Sequence, residues 1–542
     1  MLRRRRMPAS PPSLTPDPSR FLWWAAIGCS AVAIVWFLWA VSQRLPYPHE
    51  LEWMEGALGD HAWRVANGLP LYCAPTAEHL PFLYAPLLFW LGAGLIGCGV
   101  DEITALRLVA TACSIGSAML IGHWVRRETG RVVPGLVASG LFFAGYGWLA
   151  WWYDLARNDS LFVLMVLAVA YQLRHGGGRR WLWAALLATA ALLAKQSALM
   201  WLPCLGVGAL CFDRRMALRF LLAGAIAMGI AVGTMHLASD GWSTFYLFEM
   251  PSHHGWVGDR KLGFWVQDLA PMLPLVALAL AGFVARCRAG ESRQALLLAA
   301  FGSGALVTSW FSRLHVGGFD NVMMYGFVGG CVLGPIAAAG ARGAWHIVAV
   351  ALLLAQFGWL GALAHERGLA TLLPSAAHSQ AHEQLRAFVA AQSGPVWIPG
   401  HGAISTRAGK GTGAHGQAIF DLMQLLPKDA NGNFDFAAFQ EPQRLAHLSP
   451  RAQQAVLGFH AAVSRALRER RFAAVVVDLF GSGAVDAWTP LFGAAIVGAD
   501  GRFGTADDLY LRRVEPLLTE PRAIIPLLGY EAHSPYALLP NR

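Results

Sequence analysis

Charge is scarce in this chain: Asp, Glu, Lys and Arg make up 14% of its 542 residues, against 56% hydrophobic residues. That shortage excludes a string of soluble domains, because repeated apolar runs of about 20 residues read as membrane-crossing helices. Cysteine is scarce as well: there are eight, lying mainly within apolar runs, and none follows Cys331. Thiols in such runs act as small hydrophobes, and the polar C-terminal region has no disulfide framework. A net charge of +9 would suit nucleic acid, but most Arg residues form short clusters between apolar runs. That is the pattern of the positive-inside rule, so no nucleic-acid partner is expected. No internal repeat stands out beyond the rhythm of membrane crossing.

What is present is a succession of apolar runs. Residues 1–20, "MLRRRRMPASPPSLTPDPSR", are basic and then Pro-rich, and read as a disordered cytoplasmic N-terminus. The run that follows is too long for a signal-peptide core and lacks an A-x-A cleavage site, so it reads as an uncleaved first span. Spans are expected at 21–42, 103–125, 132–152, 159–174, 181–195, 197–212, 219–239, 266–286, 294–312, 321–340 and 344–363. "PFLYAPLLFWLGAGLIGCG" (Pro81–Gly99) is read as lying along the outer membrane surface. If it crossed, Arg126, Arg127 and Arg131 would fall outside, against the charge rule. Eleven spans from an inner N-terminus put both the first loop (43–102) and residues 366–542 on the outside. Strand-like "GPVWIPG" and "FAAVVVDLF", with helix-like "AAVSRALRERRF", give that last region the character of a small α/β domain. The expected fold is therefore a polytopic α-helical membrane protein with a C-terminal extracytoplasmic α/β domain.

The few charges gather on the outer side. "HELEWMEGALGDHAWRVANGLPLY" (His49–Tyr72) holds Glu50, Glu52, Glu55, Asp60 and Arg64. On a helix Glu52 and Glu55 share a face, and Asp60 can pair with Arg64; Gly56 leaves room for a substrate beside the backbone. "WWYDLARNDSLF" brings Asp154, Arg157 and Asp159 to the start of a span, where ionisable groups are costly unless paired or functional. Lys195 interrupts "LLAKQSAL", either snorkelling or awaiting an anion such as a lipid phosphate. "FEMPSHHGWVGDRKLGF" adds His253 and His254, and "SRLHVGGFDN" adds Arg313, His315 and Asn321. The adjacent pair His253–His254 could hold a divalent metal, but no second ligand pair stands at a zinc-type spacing from it, so no cofactor is assigned. Acids and cations beside a bilayer suit transfer from a lipid-anchored donor with a phosphate leaving group. A carboxylate takes the acceptor proton while Arg and Lys steady the departing phosphate.

This ordered set resembles the GT-C superfamily of membrane glycosyltransferases, in the family 39-like branch of protein mannosyltransferases and lipid A aminoarabinose transferases. "EGALGDHAWRVANGLPLY" is similar to the family's first-loop signature of an acid followed by Gly, ahead of a G-x-P-x-Y. "PFLYAPLLFW" resembles its Pro-rich surface helix, "ARNDSLFVLMVLAVAY" its later Arg/Asp motif, "LLAKQSAL" its Lys-Gln-Ser motif and "SRLHVGGFDNVMM" its late outer loop. The resemblance covers roughly residues 20–365. It implies sugar transfer from a polyprenyl-phosphate donor to an envelope protein, lipid or glycan, usually with inversion. It maps the catalytic acid to Glu55 or a neighbour, and Arg157, Asp159, Lys195 and Arg313 to donor or acceptor contacts. Many members carry an Asp-Glu pair where this chain has Met54-Glu55, which leaves Glu52, Glu55 and Asp60 in contention, with Glu55 preferred. The expected location is a bacterial inner membrane.

A transporter or flippase of lipid-linked sugars would instead show charges within the spans and repeat-like halves; a non-catalytic envelope scaffold would tolerate neutralised carboxylates. In the C-terminal region, "IPGHGAISTRAGKGTGAHGQAIFDL" holds His401, Arg407, Lys410 and His415 among glycines, as a domain edge or an anion-binding loop. It lacks P-loop spacing. "GADGRFGTADDLY" departs from EF-hand spacing, and a plain turn is expected there.

Overall fold

The structure, a computed structural model, describes residues 18–429, 432–477, 505–513, 515–520, 527–528 and 535–541. The basic N-terminal tail up to residue 17 and most of the "GADGRFGTADDLY" stretch lie outside these. Of the latter, residues 505–510 are described, and the Thr505 hydroxyl bonds Asp507 at 2.7 Å, closing a turn.

The chain is a helical bundle carrying a small domain at one end. Among the described residues, seven helices are long and apolar enough to cross a membrane, including Arg20–Arg44, Glu102–Thr129 and Ala344–Arg367. Their lipid-facing character is visible in large exposed side chains such as Phe21, Trp24, Leu222, Ile230 and Leu237. In water these would aggregate, whereas in a bilayer they meet chains as apolar as themselves. Local chemistry sets the ends. The Asp101 carboxylate accepts from the Ile103 and Thr104 amides at the start of Glu102–Thr129, and Gly130, at φ 68°, ends that helix in the left-handed region that suits glycine.

Three expectations from the sequence shift in detail. Pro81–Gly99 forms a helix only over Leu87–Gly97, whose 11 residues rise about 16 Å, half of a hydrocarbon core. The run 132–152 is helical only over Val132–Ala144 and then turns sharply, with Ala150 and Trp151 at φ 56° and 57°. A bulky residue in that region is strained and must be held by its surroundings. The span expected at 266–286 becomes regular helix at Leu273–Arg288, after a π-turn at Phe264–Asp268 and a short turn at Ala270–Met272 containing Pro271. At the end of the bundle away from the domain, Glu128 accepts from Arg174 at 2.7 Å and from Arg286 at 3.1 Å.

Among the described residues the C-terminal region forms a four-stranded sheet: β1 (Val396–Trp397), β2 (Ala474–Val477), β3 (Tyr510–Arg512) and β4 (Tyr536–Pro540), in the order β1-β2-β4-β3. The β1–β2 pair is parallel, while β2–β4 and β3–β4 are antiparallel. The helices Ala376–Ala390 and Pro450–Arg468 supply buried apolar faces, including Leu385 and Val389 on one and Val456 and Phe459 on the other.

This domain sits on the first loop through a backbone contact that only glycine permits. A Cβ on Gly56 would lie 2.5 Å from the Gly402 carbonyl oxygen, and one on Gly402 would overlap the Ala57 amide. The space beside Gly56 is therefore filled by the protein's own C-terminal domain rather than left for a substrate. Gly402→Ala is expected to destabilise the protein by about 1–3 kcal/mol. That would show as a lower thermal unfolding midpoint in detergent, and an unchanged midpoint would rule out this close approach.

Candidate active site

The first-loop carboxylates occupy four distinct environments. Glu52 precedes the helix Glu55–Ala66 rather than sharing a face with Glu55, because Glu55 is that helix's first residue. The Glu55 carboxylate is fully buried and fully engaged. Arg107 donates to it at 2.9 Å through Nε and at 2.5 Å through a terminal nitrogen. The Leu51 and Ala156 amides donate at 2.7 Å each. Burial pushes this carboxyl up, but the Arg107 charge and these hydrogen bonds outweigh it and hold the group below its ordinary value. Arg107, completely buried itself, also donates to the backbone carbonyls of Arg44, Tyr47 and His49. It is the organiser of the loop.

Glu52, 1% exposed, has a sparser shell. One carboxylate oxygen accepts from the Met54 amide at 3.2 Å and from Arg157 at 3.3 Å. Burial pushes its carboxyl up to about 7, with Arg157 pulling the other way. The Arg157 guanidinium also donates to the Tyr84 hydroxyl at 3.0 Å, stands 5.3 Å from the ring centres of Tyr84 and Trp152, and keeps a buried Nε without a partner. Asp159 binds Lys195 at 2.6 Å, the Tyr325 hydroxyl at 2.6 Å and the Trp152 indole at 2.9 Å. Lys195 thus has an internal counter-ion, and Asp159 pairs with it rather than with Arg157.

Asp60 turns to the C-terminal domain: it accepts from the Ala403 amide at 3.0 Å and from Thr406 at 2.5 Å, and burial pushes it up to about 7. No direct Asp60–Arg64 ion pair forms among the described residues; Arg64 instead reaches the Pro70 carbonyl at 3.4 Å. Glu50 accepts from the Gly56 amide at 3.2 Å, the Gly402 amide at 3.0 Å and His401 at 2.7 Å. The glycine-rich stretch is therefore a clasp on the loop. Arg407 completes it with 2.7 Å bonds to Asp101 and Glu102.

The remaining candidates form a second group. His254 is buried, 3.7 Å from Asp421 and stacked at 4.7 Å on His315, and neither of its ring nitrogens has a hydrogen-bond partner. Burial and the neighbouring His315 push it down to about 3. His253 is only half-buried and does not share that arrangement. Arg313 forms a two-pronged pair with Asp268 at 2.9 and 3.0 Å, and Asn321 is buried at the start of the following helix. π-turns at Phe245–Glu249 and Phe264–Asp268 flank this loop, a feature common beside functional sites.

Arg44 and Arg107 are the two organisers that the sequence reading missed. Arg44 donates at 2.7 Å to Asp154 and at 3.1 Å to the carbonyl of the strained Trp151. Their signal was the lone arginine: Arg107 stands inside an apolar run, where a charge is expensive unless it has a fixed partner.

The fold is similar to that of a solved structure, ArnT. It matches ArnT from Cupriavidus metallidurans bound to undecaprenyl phosphate at TM-score 0.51 and 13% identity, over 86% of this chain and 94% of that one. Apo ArnT from the same organism matches at 0.49 and 15%, over 87% and 95%. The oligosaccharyltransferase AglB from Archaeoglobus fulgidus, in complex with an inhibitory peptide and a dolichol-phosphate, matches at 0.46 and 13%, over 90% and 74%. No family model and no curated protein matches by sequence.

Arg107→Met would strand the Glu55 carboxylate without its cation, at an expected cost of about 3–5 kcal/mol. Chemical or thermal unfolding in detergent reads this loss; a variant as stable as wild type would show that the pair does not hold the loop.

Proposed function

We propose that this chain transfers a sugar from a polyprenyl-phosphate donor to an envelope acceptor at the outer face of the bacterial inner membrane, with Glu52 as proton acceptor. The observation that carries the reading is the contrast between two carboxylates in one loop. Glu55 is saturated by Arg107 and backbone amides, and a carboxylate so stabilised is a weak base. Glu52 is buried, held at about 7, and stands beside a guanidinium that keeps one donor unused. A base is most effective when its pKa lies near the working pH.

In the step proposed, the acceptor hydroxyl loses its proton to Glu52 as its oxygen attacks the anomeric carbon. The bond from that carbon to the donor phosphate oxygen breaks, and the electron pair leaves with polyprenyl phosphate. Arg157 steadies the charge developing on the phosphate, since a planar guanidinium matches its oxygens two at a time. Asp159 and Lys195 fix the wall behind it through Trp152 and Tyr325. The GT-C fold, and the polyprenyl phosphate bound by the ArnT structure, support this class of donor.

Membranes carrying matched amounts of wild type or Glu52→Gln, given radiolabelled polyprenyl-phosphate sugars and an envelope extract, test the assignment. Transfer by the variant is expected to fall at least about 100-fold. Full transfer by it would remove Glu52 from the reaction. The wild-type rate depends on the deprotonated form, so it should rise through an apparent pKa near 7. At pH 6 it should be roughly a tenth of its plateau. A rate flat between pH 6 and 8 would contradict a base with that pKa.

A further inference from the structure

The chain holds a second buried cluster that the proposed transfer does not use. Glu50 comes from the first loop, His382 from the helix Ala376–Ala390 and His401 from the clasp. One nitrogen of each imidazole and one Glu50 oxygen lie within 4.8 Å of one another, and all three residues are buried. The His382 ring is fixed by its other nitrogen: Nδ1 bonds the His378 carbonyl at 2.9 Å, so Nδ1 carries the proton and Nε2 the lone pair. That Nε2 has no hydrogen-bond partner, although His382 is only 1% exposed. A buried acceptor without a partner is costly in a core, and a backbone carbonyl on the far nitrogen is how metal-binding histidines are oriented.

Glu50 adds a negative charge that no Lys or Arg pairs with among the described residues; its ion-pair partner there is His401. A cavity of about 10 Å³, room for one water-sized particle, adjoins Glu50 and His382; Arg386 and Arg407 also line it, and His401 stands beside it rather than in its wall. His49 also lines that cavity and stacks on His382 with ring centres 4.7 Å apart.

We propose that Glu50, His382 and His401 bind a divalent transition-metal ion of the zinc class, which rivets the first loop to the C-terminal domain. Two imidazoles and one carboxylate suit Zn²⁺, with water or a further ligand completing four-coordination. The ion would replace the proton shared between His401 and Glu50, so binding releases a proton. Through Glu50, whose other oxygen holds the Gly56 and Gly402 amides, the ion would position the turn that carries Glu55. The proposal stands whether or not sugar transfer is the activity.

The test uses full-length protein purified in detergent, stripped with EDTA and loaded with Co²⁺ or Zn²⁺. Wild type should retain about one cobalt per chain, with visible d–d bands of a four-coordinate site. His382→Gln should lose both, while His447→Gln, an exposed control, keeps them. Zn²⁺ should raise the unfolding midpoint of stripped wild type by at least about 3 °C, and should not shift His382→Gln. If His382→Gln does not fold, the wild-type cobalt spectrum and Zn²⁺ shift decide. Wild type that holds no cobalt and shows no Zn²⁺ shift overturns the proposal. So does a monodisperse His382→Gln that binds cobalt as wild type does.

Discussion

The buried pair of Glu55 and Arg107 is what the domain-bearing end of the molecule is built around. Neither group touches water, and neither tolerates burial alone, so each fixes the other's place. Arg107 spends its remaining donors on three carbonyls at the close of the first helix and the start of the loop. Glu55 spends its remaining lone pairs on amides of that loop and of the segment carrying Arg157. Three stretches of chain far apart in sequence are thereby tied to two side chains: residues 44–55, the helix around Arg107 and the segment at Ala156. Arg44 does a similar task beside them, holding Asp154 and the carbonyl of Trp151, which explains how a strained tryptophan persists there.

Around that centre, residues of one type are put to different uses by their surroundings. Glu55 is braced by a full-strength cation, Asp60 accepts from an amide and a hydroxyl of the neighbouring domain, and Glu50 has only histidine and amides. Glu52, with a partly engaged shell, is left chemically open. The same divergence separates the cations. Lys195 and Arg313 are neutralised by Asp159 and Asp268, whereas Arg157 is shared among weaker partners and retains an unused donor. Incomplete satisfaction sets these two groups apart, in a region where most polar groups are satisfied.

The C-terminal domain belongs to this arrangement rather than hanging from it. Its glycine-rich segment reaches the first loop through Gly402, Ala403, Thr406 and Arg407, at a backbone approach too close for any side chain. Glycine in that segment serves docking. Its Gly402 and Ala403 amides, His401 and Arg407 are directed at carboxylates of the first loop, whereas Lys410 bonds the Gln392 carbonyl within the C-terminal domain.

The sequence by itself determined the class of fold. Scarce charge, long apolar runs and the bias of Arg clusters specify a polytopic helical bundle, since hydrocarbon admits little else. It also marked where ionisable groups gather, because a carboxylate in so apolar a chain is conspicuous. The strand-forming runs around Trp397 and Val476 were legible from β-branched and aromatic content. What only the tertiary structure decided was which carboxylate is braced and which is open. Glu52 and Glu55 differ by contacts with Arg157 and Arg107, residues about 105 and 52 positions away along the chain. The pairing of Asp60 with Thr406 and of Glu50 with His401 spans about 350 positions. Local spacing shows which side chains can share a helix face; it carries no information about partners delivered by packing, and in a buried site those partners set the charge, the proton affinity and the role.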